Sequence, residues 1–341
     1  AFAFHRNLTL GILDQIPALH WGPNHIAAFG GDPQNVTIFG ESAGGCSVVA
    51  LMAAPSAKGL FSRAWAMSAS LGQLRTSDAA LKSQLKFLQV ANVSTVDELK
   101  LLTTEQFLKA QDSMLTDVET WLQGFSPTAD GTVLAHDIVS AAANNPIDLV
   151  IGTTKDESRI FNLLNPALNN LDETQALDVL RINHKVRAAD IYKLYANCYP
   201  DYSATQIIAA VDTDTHFKLP MWKLLHERAQ SFLNTWSYMF AWNSPIFDGA
   251  LGSSHGLDIP FIFNNVESQR VHVYTGNDPS APALAVEMSH ELLALGRSGR
   301  PNWAQYELTS RTVKIFDVPT RVLHANDESP DNLVYDFWMN S

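Results

Sequence analysis

The sequence predicts an α/β fold, a mostly parallel sheet flanked by helices. Two observations carry that expectation. Val36-Thr-Ile-Phe-Gly40 is a short apolar, β-branched run that stops at a glycine, and the stretch Ala43 to Met52 that follows is small, apolar and helical, so the segment reads as strand, tight turn, helix. Short runs of the same strand character recur at Arg63 to Met67, Asp148 to Gly152, Trp236 to Trp242 and Val313 to Val322, with longer helix-period stretches between them.

Taken in order, Ile12 to Phe29 spaces its apolar side chains as a helix does, and Gly30-Gly31-Asp32-Pro33 breaks it just before the first strand. From about Thr174 to Asn234 the pattern changes: Ala188-Ala-Asp-Ile-Tyr-Lys-Leu-Tyr195 and Met221 to Phe232 carry helix-period apolar positions with no strand candidate between them. This stretch is expected to form a helical insertion over the sheet, with ordinary crossover helices of the same domain as the alternative. No repeat, charge block or Gly/Ser linker separates two halves, so 1–341 is expected to be a single domain with the insertion at about 174–234 inside it.

Composition bounds the partners. With 46% hydrophobic and 17% charged residues, against about 25% charged in an average domain, the 341-residue chain can bury a sizeable core and is not a disordered sequence. Lys plus Arg number 23 and Asp plus Glu number 35, a net charge of −12 and the wrong sign for a phosphate backbone, so nucleic acid is not expected as a partner. No run approaches the 18 or so apolar residues that span a bilayer. Cys46 and Cys198 allow at most one disulfide, and with no CxxC or Cys/His cluster of zinc spacing neither a metal nor a cofactor is expected. Sparse cysteines favour a cytoplasmic over a secreted chain; the sequons at Asn7, Asn35 and Asn92 point the other way for a eukaryotic source, which leaves localisation open.

Gly40-Glu41-Ser42-Ala43-Gly44 fits the G-x-S-x-G nucleophile elbow, in the strand-to-helix context that this motif requires. The flanking glycines free the backbone for a strained turn that holds the Ser42 hydroxyl out at the strand end. The Ala43 amide, at the start of a helix, is then aimed at a developing oxyanion.

The run Phe29-Gly-Gly-Asp-Pro-Gln-Asn-Val-Thr-Ile-Phe-Gly-Glu-Ser-Ala-Gly-Gly45 resembles the signature of the type-B carboxylesterase and cholinesterase family, members of the α/β-hydrolase fold. The resemblance continues through Asp14-Gln15, Ala57-Lys-Gly-Leu-Phe-Ser-Arg-Ala64, Pro127-Thr-Ala-Asp-Gly131, Lys155-Asp-Glu157 and His255-Gly256, and covers nearly all of the chain. Ile259-Pro-Phe-Ile-Phe263 and Trp303 are closer to bacterial carboxylesterases than to animal cholinesterases. The resemblance implies a triad in the order Ser42, Glu157, His255, with Asp156 as the rival acid beside Glu157. It also implies a buried polar network of Glu41, Ser68 and Asp258 behind the triad, against which Ser68 could be an ordinary buried hydroxyl and Asp258 a helix cap.

The family's second source of oxyanion amides is a Gly-rich loop ahead of the nucleophile, and no such loop is found here. With 41 residues before Ser42, the chain is expected to be the C-terminal part of an esterase, its N-terminal strands missing, and the sheet to end in an unpaired strand unless a companion N-terminal segment covers it. The implied activity is serine carboxylester hydrolysis of small to medium, neutral or weakly polar esters, with the charge of −12 favouring cationic over anionic ones. Two alternatives stay open: a catalytically impaired scaffold or adhesion-type domain, and a lipase or acyltransferase on the same fold.

Overall fold

A computed structural model describes residues 9–115 and 124–340, so the opening residues and the Asn7 sequon lie outside it. Its contacts divide the chain into two compact units. The first comprises the chain up to Asn35, Val49–Phe61 and Gly72–Asn145; the second comprises Val36–Val48, Ser62–Leu71 and the chain from Pro146 onward.

The second unit holds a six-stranded sheet. Its strands are β1 (Thr37–Glu41), β2 (Arg63–Met67), β5 (Asp148–Thr154), β6 (Thr235–Phe240), β7 (Val313–Phe316) and β8 (Arg321–Leu323), in that spatial order. The remaining two, β3 (Arg75–Thr76) and β4 (Thr128–Ala129), form a small parallel pair in the first unit. The first five strands of the large sheet run parallel, with Gly40 beside Ala66, Ala66 beside Ile151 and Ile151 beside Ser237.

The middle strands are buried nearly throughout because both of their faces are covered. All six residues of β6 are buried, as are the last six of β5. Trp65, Trp236, Tyr238 and Phe240 pack there with Phe261, Met288 and Phe316 into one core. Each such ring removes roughly 150–250 Å² from water, which at about 25 cal/mol per Å² contributes about 4–6 kcal/mol before conformational entropy is subtracted. β1 is different. Among the described residues it pairs with β2 alone, and none of its five residues is buried.

Three sequence expectations change. The run 313–322 is two strands, because Pro319 cannot donate to a ladder and the chain reverses over Asp317–Thr320 so that β8 returns antiparallel to β7. The first helix spans Leu10–His25 and tightens into a 3-10 turn over Ile26–Phe29 rather than running on as one helix. The pair β3–β4 was not anticipated, since two residues per strand are too few to show a period of two.

The stretch expected to be helical contains the helices Glu173–His184, Ala188–Cys198, Ala204–Thr213 and Leu219–Gln230. Two of them start with full capping boxes, Asp172 with Gln175 and Ser203 with Gln206. Between the last two lies a five-residue π-helical segment, Asp214–Lys218, closed by the Leu219 N–H on Asp214 O. Pro220, which has no N–H for the carbonyl of His216, is the local reason the α-helical ladder widens there.

Candidate active site

Every residue of the candidate triad sits at the C-terminal end of a strand of the second unit or in the loop that follows. Ser42 comes directly after β1 with φ of 57°, a left-handed conformation that a serine adopts only under constraint. Two hydrogen bonds and two close backbone approaches supply that constraint. The Ser42 N–H donates to Met67 O at 3.0 Å, and Ser42 O accepts from the Cys46 N–H at 2.9 Å, starting the helix Ala43–Ala53. The turn is also closed by backbone packing: a Cβ on Gly40 would lie 2.6 Å from the Gly44 carbonyl, and one on Gly45 would lie 2.5 Å from Met67 O.

This corrects the reading of the glycines. The positive φ falls on Ser42 itself, while Gly40 and Gly45 are required by close approach; a Cβ on Gly44 meets nothing within 4 Å. Ala43 is the first residue of the helix, so its N–H has no helical acceptor and stands next to Ser42.

His255 bridges the other two residues. Its Nε2 is 2.7 Å from Ser42 Oγ and its Nδ1 is 2.5 Å from Glu157 Oε2. Glu157 is fully buried, and its Oε1 accepts the Thr154 N–H at 2.7 Å, which fixes the carboxylate against the last residue of β5. The neighbouring Asp156 faces elsewhere: it accepts from Arg159 Nε at 3.0 Å and from the Ser253 N–H at 3.0 Å. Of two adjacent carboxylates in one loop, then, Glu157 meets the imidazole and Asp156 ties the two loops together.

The three residues expected behind the triad separate. Glu41 Oε1 lies 3.3 Å from His255 Nε2 as a charge contact without hydrogen-bond alignment, and burial, outweighing the pull of His255, raises its pKa. Asp258 is fully buried and accepts from the Tyr238 hydroxyl at 3.2 Å; burial first, then the charges of Glu157 and Glu41, push its pKa up to about 7. It holds the N-cap position of a short helix, yet its side chain makes no cap bond. Ser68 is fully buried just past the end of β2 with φ of 47°, and its Oγ has no hydrogen-bond partner, so no hydrogen bond links it to the triad.

Burial lowers the pKa of His255, but the hydrogen bond to Glu157 and the charges of Glu157, Glu41 and Asp258 outweigh it and raise the value to about 9. Two aromatic rings enclose the imidazole. Phe161 and Phe217 each lie 5.2 Å from it, centroid to centroid. Sequence reasoning missed both. Phe161 follows Glu157 by four residues, about one helical turn, a spacing that could have flagged it. Phe217 lies in the π segment and left no signal. Among the described residues, no group of three or more His, Cys, Asp or Glu side chains is placed to hold a metal, and no helix is long and apolar enough to cross a membrane.

The profile of the carboxylesterase family matches residues 7–337. The chain belongs to that family. It is 32% identical over 324 residues to a para-nitrobenzyl esterase of Bacillus subtilis (strain 168), covering 90% of this chain and 63% of that one. A phenmedipham hydrolase of Pseudarthrobacter oxydans is 28% identical, covering 86% of this chain and 60% of that one. Among solved structures, a Geobacillus stearothermophilus carboxylesterase superposes with a TM-score of 0.81 at 32% identity, over 92% of this chain and 67% of that one. The chain therefore spans about three fifths of the length of these two curated relatives. The family and the parallel sheet flanked by helices together establish the α/β-hydrolase fold for this chain.

Proposed function

We propose that this carboxylesterase-family chain carries the catalytic residues of a serine carboxylester hydrolase. The observation that carries the reading is His255 held between Ser42 and Glu157 at 2.7 and 2.5 Å. Neutral His255 takes the Ser42 proton on Nε2 while Oγ bonds to the ester carbonyl carbon, and the resulting oxyanion faces the Ala43 N–H. Collapse returns the carbonyl, and the proton on Nε2 leaves with the alcohol. Water then repeats the sequence on the acyl-enzyme, its proton passing through His255 to Ser42 as the acid departs. Glu157 stays ionised and keeps Nδ1–H pointed at itself, which leaves Nε2 free to act as base.

Phe161 and Phe217 flank the base with apolar surface, which supports neutral or weakly polar esters of modest size as substrates. The lipase, acyltransferase and scaffold alternatives have no observation that favours them. Among the described residues β1 pairs with β2 alone and has no buried residue, which supports a companion segment that adds a strand there and brings further amides to the oxyanion. Hydrolysis of p-nitrophenyl butyrate by the chain and by Ser42→Ala tests the reading. Turnover that falls at least about 10⁴-fold in the variant supports it, and turnover that survives overturns it.

A further inference from the structure

Glu157 and His255 stand on two separate segments, one after β5 and one after β6, and the residue beside Glu157 joins those segments twice. The Asp156 N–H donates to Ser253 O at 3.0 Å, and Asp156 Oδ2 accepts the Ser253 N–H at 3.0 Å. The result is a reciprocal clasp. Asp156 is the neighbour of Glu157 and Ser253 lies two residues before His255, so little chain separates the clasp from the 2.5 Å contact between His255 Nδ1 and Glu157 Oε2.

Both halves of the clasp are themselves held. Ser253 is fully buried, and its Oγ donates to Phe240 O at 2.7 Å, the same carbonyl that accepts the Lys155 N–H at 2.8 Å. Asp156 is also buried; its Oδ1 accepts from Arg159 Nε at 3.0 Å and from the Tyr202 hydroxyl at 3.4 Å, and the Arg159 guanidinium lies 4.9 Å from the Tyr202 ring centroid. Gly252 makes room for the carboxylate: its φ is 60°, and a Cβ there would lie 2.6 Å from Asp156 Oδ2. A buried N–H is costly to leave without an acceptor, so loss of Asp156 Oδ2 drives the backbone at Ser253 toward another partner and carries His255 with it.

We propose that Asp156 is a positioning residue for ester hydrolysis: by clasping Ser253 it sets the separation of Glu157 and His255, and with it the Nδ1–H tautomer that leaves Nε2 as base. It acts through the backbone and not on the reacting atoms. The inference rests on the esterase reading for its kinetic consequence, whereas the hydrogen bond from Nδ1–H to Glu157 can be read by spectroscopy without any turnover.

Two double variants test it, both without the guanidinium so that neither leaves Arg159 facing a lost partner. Asp156→Asn/Arg159→Leu keeps a side-chain oxygen for the Ser253 N–H, and Asp156→Ala/Arg159→Leu keeps none. The readouts are the far-downfield proton resonance of His255 Nδ1–H, assigned by its absence in His255→Ala, and steady-state hydrolysis of p-nitrophenyl butyrate. With a native circular-dichroism spectrum, the alanine pair is expected to lose the resonance and to lower kcat at least about 100-fold with KM within about three-fold of the parent; the asparagine pair is expected to keep the resonance and to rescue kcat to within about ten-fold. Asp156→Leu/Arg159→Leu, which fills the carboxylate's space without an acceptor, replaces the alanine pair if the latter does not fold. A resonance missing from the parent, one that persists in the folded variant lacking the acceptor, one lost in both folded variants, or a fall confined to KM would each overturn the proposal. A parent with the resonance but with no turnover that Ser42→Ala abolishes would instead sink the esterase reading, and the clasp would then be judged on the resonance alone.

Discussion

β1 and β6 are both short parallel strands rich in β-branched and aromatic residues, yet one has every residue buried and the other has none. Period and composition say that a segment is a strand; its place in the sheet decides how much of it is buried. The difference separates two ways of building a site. Ser42, at the end of the half-buried strand, is positioned by backbone contacts: a left-handed φ, the Met67 carbonyl and two glycines that admit no Cβ. Glu157 and His255 are positioned by burial and hydrogen bonds around the loops that follow β5 and β6. Ser42 is thus held at the end of a half-buried strand, whereas Glu157 and His255 follow strands that are buried nearly throughout.

The comparison can be broken or sharpened by substitution, starting with the largest effect. Glu157→Gln leaves the space filled but lets His255 take the wrong tautomer, and kcat is expected to fall on the order of 10⁴-fold in steady-state kinetics with the fold unchanged by circular dichroism. Phe240→Ala, in the buried strand, is expected to lower unfolding stability by about 3–5 kcal/mol in a denaturant titration. Gly40→Ala forces a Cβ against the Gly44 backbone and is expected to cost about 1–3 kcal/mol while lowering turnover, since relief of the clash must move the Ser42 turn.

The pH profile probes the charges around the base. His255 acts only when neutral, and its raised pKa of about 9 places the acid limb of kcat/KM well above the ordinary imidazole range, with activity rising as pH increases through that limb. Glu41→Gln removes one of the charges that raise the value, so the limb is expected to move to lower pH. The smallest effect is expected at the edge: Phe39, 43% exposed on β1, should lose under about 1 kcal/mol on replacement by alanine, against several for Phe240.

Much of this was legible in the residues. Gly40 to Gly44 between a β-branched run and a small apolar helix pointed to Ser42 as the candidate nucleophile, and chain order with family resemblance pointed to Glu157 and His255. Resemblance alone favoured Glu157 over Asp156, because two adjacent loop carboxylates differ only in direction, and direction depends on where Arg159 and Ser253 come to lie. Pro319 inside an apolar run was a readable sign that 313–322 could not be one strand. Phe217 was beyond reach. Its approach to His255 depends on a π segment created around Pro220, and neither the hydrophobic period nor a motif encodes that contact.

The central claim is that His255 activates Ser42, and intact-mass labelling with a fluorophosphonate tests it without assuming a substrate. The account predicts one covalent adduct on the chain, absent in Ser42→Ala and formed far more slowly in His255→Ala. A folded chain that forms no adduct, or one that is labelled equally well in Ser42→Ala, would contradict it.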